Sequence, residues 1–297
     1  MTALTGFKLW LAGARPKTLP AALVPVAVGT AVATDPTRWP GEIVWWRAVA
    51  ALVVALALQI ATNYANDYSD GIRGTDDDRA GPLRLVGSGL VPAKKVRTMA
   101  FAWFAVAAVG GLALTVAVGA ELLVVGIAAI AAGWFYTGGS NPYGYLGLGE
   151  LFVFVFFGLV ATVGSAYVQP AGWSTIAWLA GVAVGALATA LLVANNLRDI
   201  PTDQVAGKNT LAVRLGDRGT RVLFVALLIV PFGVAAVIAV ERPWALLALG
   251  ALPAAAIAMR PVVSGALGRE LIPALGATGR TQLIYGVLLS LGLCLGG

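Results

Sequence analysis

Two polar blocks rich in aspartate interrupt an otherwise apolar chain, and each follows directly on a long apolar run. The first block covers residues 66–78 and the second covers residues 195–203. Acidic side chains beside hydrocarbon cost free energy unless a cation or another partner compensates them. Because the two blocks occupy like positions, they predict one shared metal site.

The blocks repeat a spacing that places polar side chains on one face of a helix. Asn66 and Asp70 are four residues apart, and the second block has the same spacing at Asn195, Asp199 and Asp203. Side chains four residues apart lie on one helical face. We expect both helices to end at one membrane surface and to aim these oxygens into a common mouth.

Further acidic residues extend each block beyond its helix. Pro201 is expected to end the second helix, because the residue before a proline is pushed away from helical geometry. Asp203 should therefore lie on a loop. The cluster Asp76–Asp78 adds carboxylates to the first block.

The donor chemistry of this site favours magnesium. The chain has no histidine, and a site made only of oxygen donors suits Mg²⁺ better than zinc or copper. Magnesium is usually held by a few carboxylates together with substrate phosphates, so the site predicts a phosphorylated substrate. Nearby cations could pair the remaining phosphate oxygens; they are Arg73, Arg79, Arg84, Arg198 and Lys208.

The elements that must position these residues are membrane helices. Of the 297 residues, 59% are hydrophobic and 11% are charged, against about 25% charged in soluble domains. Apolar runs near the ~20 residues that cross a bilayer follow one another closely, which predicts one all-α polytopic membrane helix bundle over residues 1–297 with about nine transmembrane helices. We place them near 19–34, 44–66, 95–118, 121–136, 148–168, 173–195, 220–240, 243–259 and 279–296.

Basic residues predict the orientation of the bundle. The N-terminus and the loops after the second, fourth, sixth and eighth spans lie on one side of the membrane. They hold 17 of the 20 lysines and arginines, and the other side holds only Arg38, Arg47 and Arg242. The positive-inside rule then places the N-terminus and both aspartate blocks in the cytoplasm. We expect a multi-pass protein of the cytoplasmic (inner) membrane. The net charge of +6 follows from this bias and does not indicate nucleic-acid binding, and no obligatory protein partner is evident.

Two smaller features concern packing. The only cysteine, Cys294, excludes a disulfide within the chain, and we expect a packed thiol. Gly181 and Gly185 have the spacing of closely packed membrane helices, and contact within the chain is a better explanation than dimerisation.

A phosphate-bearing substrate at a site that opens into a helix bundle is most simply an isoprenyl diphosphate. Its head group would bind at the metal and its tail would lie between helices. Phe152, Phe154, Phe156 and Phe157 could line the path of the tail, although packing and lipid contact are the commoner roles of such rings.

At these residues the chain resembles the UbiA superfamily of intramembrane aromatic prenyltransferases, whose hallmark is a pair of aspartate motifs after the second and sixth helices. The first block extends as Asp76-x-x-Arg79-x-Gly81-Pro82-x-Arg84, and the second extends through Gly207-Lys208-x-Thr210-Leu211-x-x-Arg214. These extensions, with residues 15–20 and 136–150, are similar to the branch that prenylates 1,4-dihydroxy-2-naphthoate on the way to menaquinone. The resemblance covers about residues 14–216.

One position departs from the general pattern of the superfamily. Many members carry a third acidic residue four positions after Asp70, where this chain has Gly74. The corresponding ligand is therefore ambiguous among Asp76, Asp77 and Asp78. We favour Asp76, because the menaquinone branch usually has an acidic residue there.

The resemblance implies transfer of a polyprenyl chain from a polyprenyl diphosphate to 1,4-dihydroxy-2-naphthoate, with loss of carbon dioxide and diphosphate, giving demethylmenaquinone. It implies Mg²⁺ held by Asn66, Asp70, Asp76, Asn195, Asp199 and Asp203. The implied catalytic residues are Asp70, Asp199, Asp203 and Tyr136. The implied substrate-binding residues are Arg15, Lys17, Asn66, Asp67, Arg79, Arg84, Tyr143, Asn195, Arg198 and Lys208.

Several assignments stay open at this point. Arg15 and Lys17 could bind the acceptor's carboxylate or could anchor the first helix at the membrane surface. Proton removal could fall to an aspartate, to Tyr136, Tyr143 or Tyr145, or to the released diphosphate. Glu150 is either a site residue or an interfacial charge. Another aromatic acceptor is an alternative, and so is an ion-coupled transporter, whose site would lie near mid-membrane.

Overall fold

The computed structural model describes residues 6–34, 43–74, 83–170 and 173–295, and these ranges are mostly helical. The α-helices are α1 (Phe7–Ala14), α2 (Pro20–Val32), α3 (Trp45–Ile72), α4 (Ala93–Val118), α5 (Glu121–Phe135), α6 (Gly149–Tyr167), α7 (Thr175–Val205), α8 (Leu211–Ile238), α9 (Pro243–Val263) and α10 (Ile272–Leu295). Helix α6 contains a π-helical stretch, and α9 begins with a 3-10 stretch. Separate 3-10 turns cover Pro16–Thr18, Tyr143–Leu146 and Gly268–Leu271.

Long apolar helices identify the chain as an integral membrane helix bundle. Among the described residues, six helices are long and apolar enough to cross a membrane, namely α3, α4, α6, α7, α8 and α9. Helices α2 and α5 are apolar but shorter. Helix α10 is 24 residues long and carries Arg280 and Gln282 within its sequence. Nine membrane spans therefore remain a prediction.

Helices α3 and α7 extend past the predicted ends of their spans and carry the aspartate blocks on helical turns. Helix α7 continues through Pro201 to Val205, so the prediction that Asp203 lies on a loop is wrong. An interior proline costs about 3 kcal/mol relative to alanine. The polar side chains of the last turns, including Asp199 and Asp203, are buried. Because the helix continues through Pro201, Asp199 and Asp203 keep their four-residue spacing on one face.

Glycines bring α6 and α7 together beneath the aspartate blocks. A Cβ on Gly158 would lie 2.4 Å from Cα of Gly185 and 2.8 Å from the carbonyl oxygen of Gly181, so only glycine fits there. Small residues permit this approach of two backbones. The packing explanation of Gly181 and Gly185 is thereby confirmed. Cys294 likewise packs against the main apolar core, as expected.

Two arginines join helix ends at the side of the bundle opposite the aspartate blocks. Arg47, at the start of α3, donates from Nη1 to the carbonyl oxygen of Val168 at 2.9 Å and from Nη2 to that of Ala117 at 3.2 Å. Arg242 donates to the carbonyl oxygen of Thr34 at 3.4 Å. Both arginines belong to the small basic set that the sequence assigns to the outer side.

Candidate functional site

A cavity of about 1250 Å³ begins at the aspartate blocks and extends between the helices. Its far part is lined by apolar and small residues, including Ala51, Leu122, Gly164 and Val168. Along α3, the rise from Ala51 to Asp70 is ~28 Å, close to the ~30 Å of a bilayer's hydrocarbon core. The cavity is also larger than the roughly 300–1,000 Å³ of common small-molecule pockets. It therefore has the shape of a site for a small polar head joined to a long apolar tail.

Asp70 lies at the polar end of the cavity and joins three distant segments. Tyr145 donates from Oη to Oδ1 of Asp70 at 2.6 Å. Lys208 Nζ lies 3.5 Å from the same oxygen, and Arg84 Nη2 lies 3.7 Å from Oδ2. All four residues line the cavity. Two cations around one carboxylate leave the cluster positive, which favours an anionic ligand.

Lys208 also contacts the ring of Tyr145, with Nζ 4.7 Å from the ring centroid. The backbone N–H of Asn209 donates to the carbonyl oxygen of Tyr145 at 3.0 Å. Tyr145 therefore connects the segment after α7 to the end of α3. These contacts bring the two aspartate blocks to the same end of the cavity.

In the second block, Arg198 forms a paired contact with Asp199. Its Nε and Nη2 donate to Oδ1 and Oδ2 of Asp199 at 2.7 and 2.8 Å, and Nη2 also donates to Oδ1 of Asn195 at 2.7 Å. Arg198, Asn195 and Asp203 line the cavity, whereas Asp199 is buried behind it. The described geometry therefore presents the guanidinium of Arg198 to the cavity, and Asp199 orients it.

Asp67 has a different position from the one that the substrate-binding assignment requires. Its side chain is fully buried and does not line the cavity. Oδ2 accepts from the backbone N–H of Leu85 at 2.8 Å, and Oδ1 accepts from that of Val86 at 3.0 Å. This geometry favours a structural contact over a contact with substrate.

Contacts around the loop after α5 fix the next wall of the site. Thr137 donates from Oγ1 to Oδ1 of Asn66 at 2.8 Å. Arg73 donates to the carbonyl oxygens of Thr137 and Gly139, so its guanidinium holds this loop and does not line the cavity. On the same side, Asn196 lines the cavity and donates to Glu150 at 2.9 Å.

Arg15 and Lys17 line the cavity beside the entrance of α2. Arg15 has a φ of 52°, and it is the only non-glycine residue with positive φ in the described ranges. The hydroxyl of Thr18 donates to the carbonyl oxygen of Arg15 at 2.9 Å. An unusual backbone conformation held by a local contact is typical of functional segments.

Two residues that the sequence argument missed hold this segment in place. Gln59 donates from Nε2 to Oγ1 of Thr18 at 2.9 Å, and Asn63 donates to the carbonyl oxygen of Ala14 at 3.0 Å. Both line the cavity. Residues 59, 63, 66 and 70 form one polar stripe at helical spacing along an apolar helix, and that stripe was the available signal.

Aromatic rings form a continuous row along the cavity. The ring of Tyr143 stacks on Phe152 with centroids 4.0 Å apart, Phe152 stacks on Phe156 at 6.0 Å, and Tyr136 meets Tyr143 edge to face at 5.5 Å. These residues and Phe157 line the cavity. Phe154 does not, and its ring packs near Gly185 instead.

Tyr143 is poorly suited to remove a proton. Its hydroxyl donates to the carbonyl oxygen of Ala132 at 2.8 Å. Burial raises the pKa of the Tyr143 phenol above its ordinary value, because the low dielectric disfavours the charged form. The phenol therefore stays protonated at neutral pH, and its proton is already donated to the carbonyl oxygen of Ala132.

The donor set at the polar end fits magnesium. Four residues that line one cavity offer amide or carboxylate oxygens as metal ligands, namely Asn66, Asp70, Asn195 and Asp203. Within the described residues, no three His, Cys, Asp or Glu side chains are grouped to hold a metal. In proteins Mg²⁺ is commonly held by one or two carboxylates together with water and phosphate oxygens. The predicted residues Asp76, Asp77, Asp78 and Arg79 lie outside the described ranges.

Comparison with known proteins gives consistent matches to one family, one relative and two solved structures. Residues 22–269 match the UbiA prenyltransferase family. A protein of Mycobacterium tuberculosis named 1,4-dihydroxy-2-naphthoate octaprenyltransferase is 50% identical over 293 residues, which cover 99% of both chains. The apo structure of a UbiA homolog from Aeropyrum pernix K1 has a TM-score of 0.71 at 15% identity, covering 92% of this chain and 96% of that chain. A UbiA homolog from Archaeoglobus fulgidus, bound to DMAPP and Mg²⁺, has a TM-score of 0.63 at 17% identity and covers 95% and 99%.

Proposed function

Because this chain belongs to the UbiA prenyltransferase family, we propose that it transfers a polyprenyl group from a polyprenyl diphosphate to 1,4-dihydroxy-2-naphthoate in menaquinone biosynthesis. The observation that carries this proposal is a single cavity of about 1250 Å³ that has a cation-lined polar end and an apolar remainder. The whole chain, residues 1–297, acts as one catalytic domain. Family membership removes the main argument for an ion-coupled carrier.

The diphosphate of the donor binds at the polar end. Asn66, Asp70, Asn195 and Asp203 would hold Mg²⁺, with Asp76 as a further ligand, and the ion would neutralise charge on the leaving diphosphate. Asp199, whose two carboxylate oxygens accept from Arg198 behind the cavity wall, is assigned the role of orienting that guanidinium. Arg84, Lys208 and Arg198 approach the phosphate oxygens, and Arg79 is assigned the same role. As the bond between the allylic carbon and the diphosphate oxygen breaks, its electron pair leaves with diphosphate. Cations already held by Asp70 and Asp199 stabilise that charge without reorganisation.

The prenyl tail lies in the apolar part of the cavity. The stacked rings of Phe152 and Phe156 and the open surface at Gly164 form its wall. This path excludes water from the allylic cation, which would otherwise be hydrolysed. The rings of Tyr136 and Tyr143 are at its polar end, where an aromatic acceptor can lie against them.

The acceptor's carboxylate binds Arg15 and Lys17. The ring carbon that carries the carboxylate forms the new carbon–carbon bond, and the carboxylate then leaves as carbon dioxide. Its bonding electron pair returns to the ring, so the immediate product is the prenylated dihydroxynaphthalene, and formation of the quinone is a separate oxidation. Loss of carbon dioxide replaces loss of a ring proton. The reaction therefore needs no base to remove a ring proton, which is compatible with a chain that has no histidine and in which Tyr143 stays protonated. Tyr136 can form a hydrogen bond with a ring hydroxyl of the acceptor.

The orientation follows the distribution of basic residues. Arg47 and Arg242 lie at the end opposite Asp70 and Lys208, which supports a cytoplasmic site and N-terminus in the cytoplasmic membrane. A reporter active only outside the cytoplasm, fused after residue 297, should be active. The same reporter fused before residue 7 should be silent, and the reverse pattern would contradict this orientation.

Incubation of purified protein with Mg²⁺, labelled polyprenyl diphosphate and a panel of acceptors tests the function. We expect prenylated naphthol, labelled carbon dioxide from carboxyl-labelled acceptor, and diphosphate in equal amounts. Asp70→Asn should abolish turnover, while Asp217→Asn, on the distant α8, should not. Product with hydroxybenzoate alone would overturn the acceptor assignment, and absence of product with every acceptor would overturn prenyl transfer.

A further inference from the structure

Asp67 belongs to the first aspartate block, yet it contributes no surface to the cavity. Its side chain is fully buried, and each carboxylate oxygen accepts one backbone N–H, from Leu85 and Val86. Both donors follow Arg84 directly in the chain. Arg84 lines the cavity and reaches Asp70 at 3.7 Å. The Asp67 carboxylate therefore holds the segment that presents Arg84.

The same carboxylate acts on the other side of the site. Asp67 interacts electrostatically with Arg15, which lines the cavity at the segment assigned to the acceptor. Asp67 is therefore linked to Arg15 by charge and, through the N–H groups of Leu85 and Val86, to the segment that carries Arg84. A buried carboxylate with two charge-assisted backbone bonds and a cationic neighbour is a strong local constraint.

Packing around Leu85 joins these two parts mechanically. Leu85 is fully buried, and a Cβ on Gly13 would lie 2.7 Å from Cδ1 of Leu85 and 2.7 Å from Cε1 of Tyr64. Tyr64 donates from Oη to the carbonyl oxygen of Trp10 at 2.6 Å. Helix α1, which leads into Arg15, is therefore docked on the segment that carries Arg84.

We propose that Asp67 is a positioning residue that sets Arg84 for the donor diphosphate and Arg15 for the acceptor carboxylate, and that it touches neither substrate. This inference rests on the proposed function of Arg84 and Arg15. It replaces direct substrate binding by Asp67, and it predicts that the donor and acceptor ends respond together to one buried substitution.

The test combines kinetics with a double-mutant cycle. Asp67→Asn keeps the shape of the side chain but removes the charge and one acceptor, so the KM for prenyl diphosphate should rise roughly tenfold, with a smaller rise in the KM for the acceptor. In an Arg84→Ala background, Asp67→Asn should change the donor KM by less than about twofold, because the residue through which it acts is gone. In a Lys208→Ala background, the full effect of Asp67→Asn should persist.

Asp217→Asn is the matched control, because Asp217 pairs with Arg221 on α8 and lies away from the cavity. It should leave both KM values unchanged. Unchanged KM values in Asp67→Asn, or an effect that multiplies fully with that of Arg84→Ala, would overturn the proposal. A merely structural role would lower the amount of active enzyme and leave both KM values as they are.

A second variant covers the case in which Asp67→Asn does not fold. Gly13→Ala pushes on Leu85 from α1 without changing any charge, and it should raise the donor KM in the same direction; no rise would contradict the proposed linkage. Equilibrium binding of an unreactive prenyl thiodiphosphate with Mg²⁺ gives a readout that needs no acceptor. If wild-type protein binds this analogue but prenylates no naphthoate, the proposed function fails while the Asp67 test remains decisive.

Discussion

Deleting one hydroxyl, by Tyr145→Phe, tests whether Asp70 must be held in place before the donor binds. Tyr145 Oη donates to Asp70 Oδ1 at 2.6 Å, in a site where Asp70 is buried. A hydrogen bond to a charged group contributes about 1.5–3 kcal/mol. Since Lys208 and Arg84 still contact Asp70 in the variant, we expect the lower part of that range, or a rise of about tenfold in the KM for the donor.

Phenylalanine retains the ring that Lys208 contacts at 4.7 Å, so the variant isolates the hydroxyl. Steady-state kinetics with varied donor and saturating acceptor measures the donor KM, and rates are expressed per amount of folded enzyme. The acceptor KM should change little. Tyr145→Leu should be worse, because it also removes the surface against which Lys208 lies.

Tyr285→Phe is the matched control for this deletion. Tyr285 is buried on α10, donates to the carbonyl oxygen of Pro231 at 2.7 Å and does not line the cavity. Its loss should lower stability by about 1 kcal/mol and leave both KM values unchanged. A donor KM in Tyr145→Phe within twofold of wild type would refute the reasoning. A hundredfold or greater fall in kcat would instead show that the Tyr145 hydroxyl stabilises the transition state.

Three other substitutions or conditions probe the remaining parts of the site. Arg15→Ala should raise the acceptor KM by roughly tenfold or more, the cost of a hydrogen bond to a charged group, without raising the donor KM; equal effects on both would argue for a membrane anchor. Gly164→Leu fills open space in the apolar cavity. It should reduce kcat/KM for an octaprenyl donor about tenfold and leave kcat/KM for geranyl diphosphate unchanged. Gly233→Leu, on the open surface of α8, is the control and should leave both values unchanged. Chelation of divalent cations should stop turnover, with recovery on adding Mg²⁺ and not Zn²⁺, because the donors are oxygens; full activity in chelator would contradict the metal site.

Local patterns were enough to predict the architecture and the polar end of the site. Apolar runs indicate membrane helices, and the four-residue spacing of Asn195, Asp199 and Asp203 persists because α7 stays helical. The same local rule failed at Pro201, where burial of neighbouring polar residues accompanies a helix that propensity alone would end. The helical spacing of Gln59 and Asn63 with Asn66 and Asp70 indicates a role at the site, but both side chains are uncharged and were not identified from the sequence.

Hydrophobicity and helical period are local properties, so the membrane helices and the two acidic blocks at like positions could be read from the amino acids alone. Which oxygens face the cavity depends on how the helices pack. Asp67 and Asp70 are three residues apart, yet one accepts backbone N–H groups behind the wall and the other meets Tyr145, Arg84 and Lys208 at its surface. The partners of a buried carboxylate come from distant segments, and their approach depends on how whole helices pack, which no local spacing encodes.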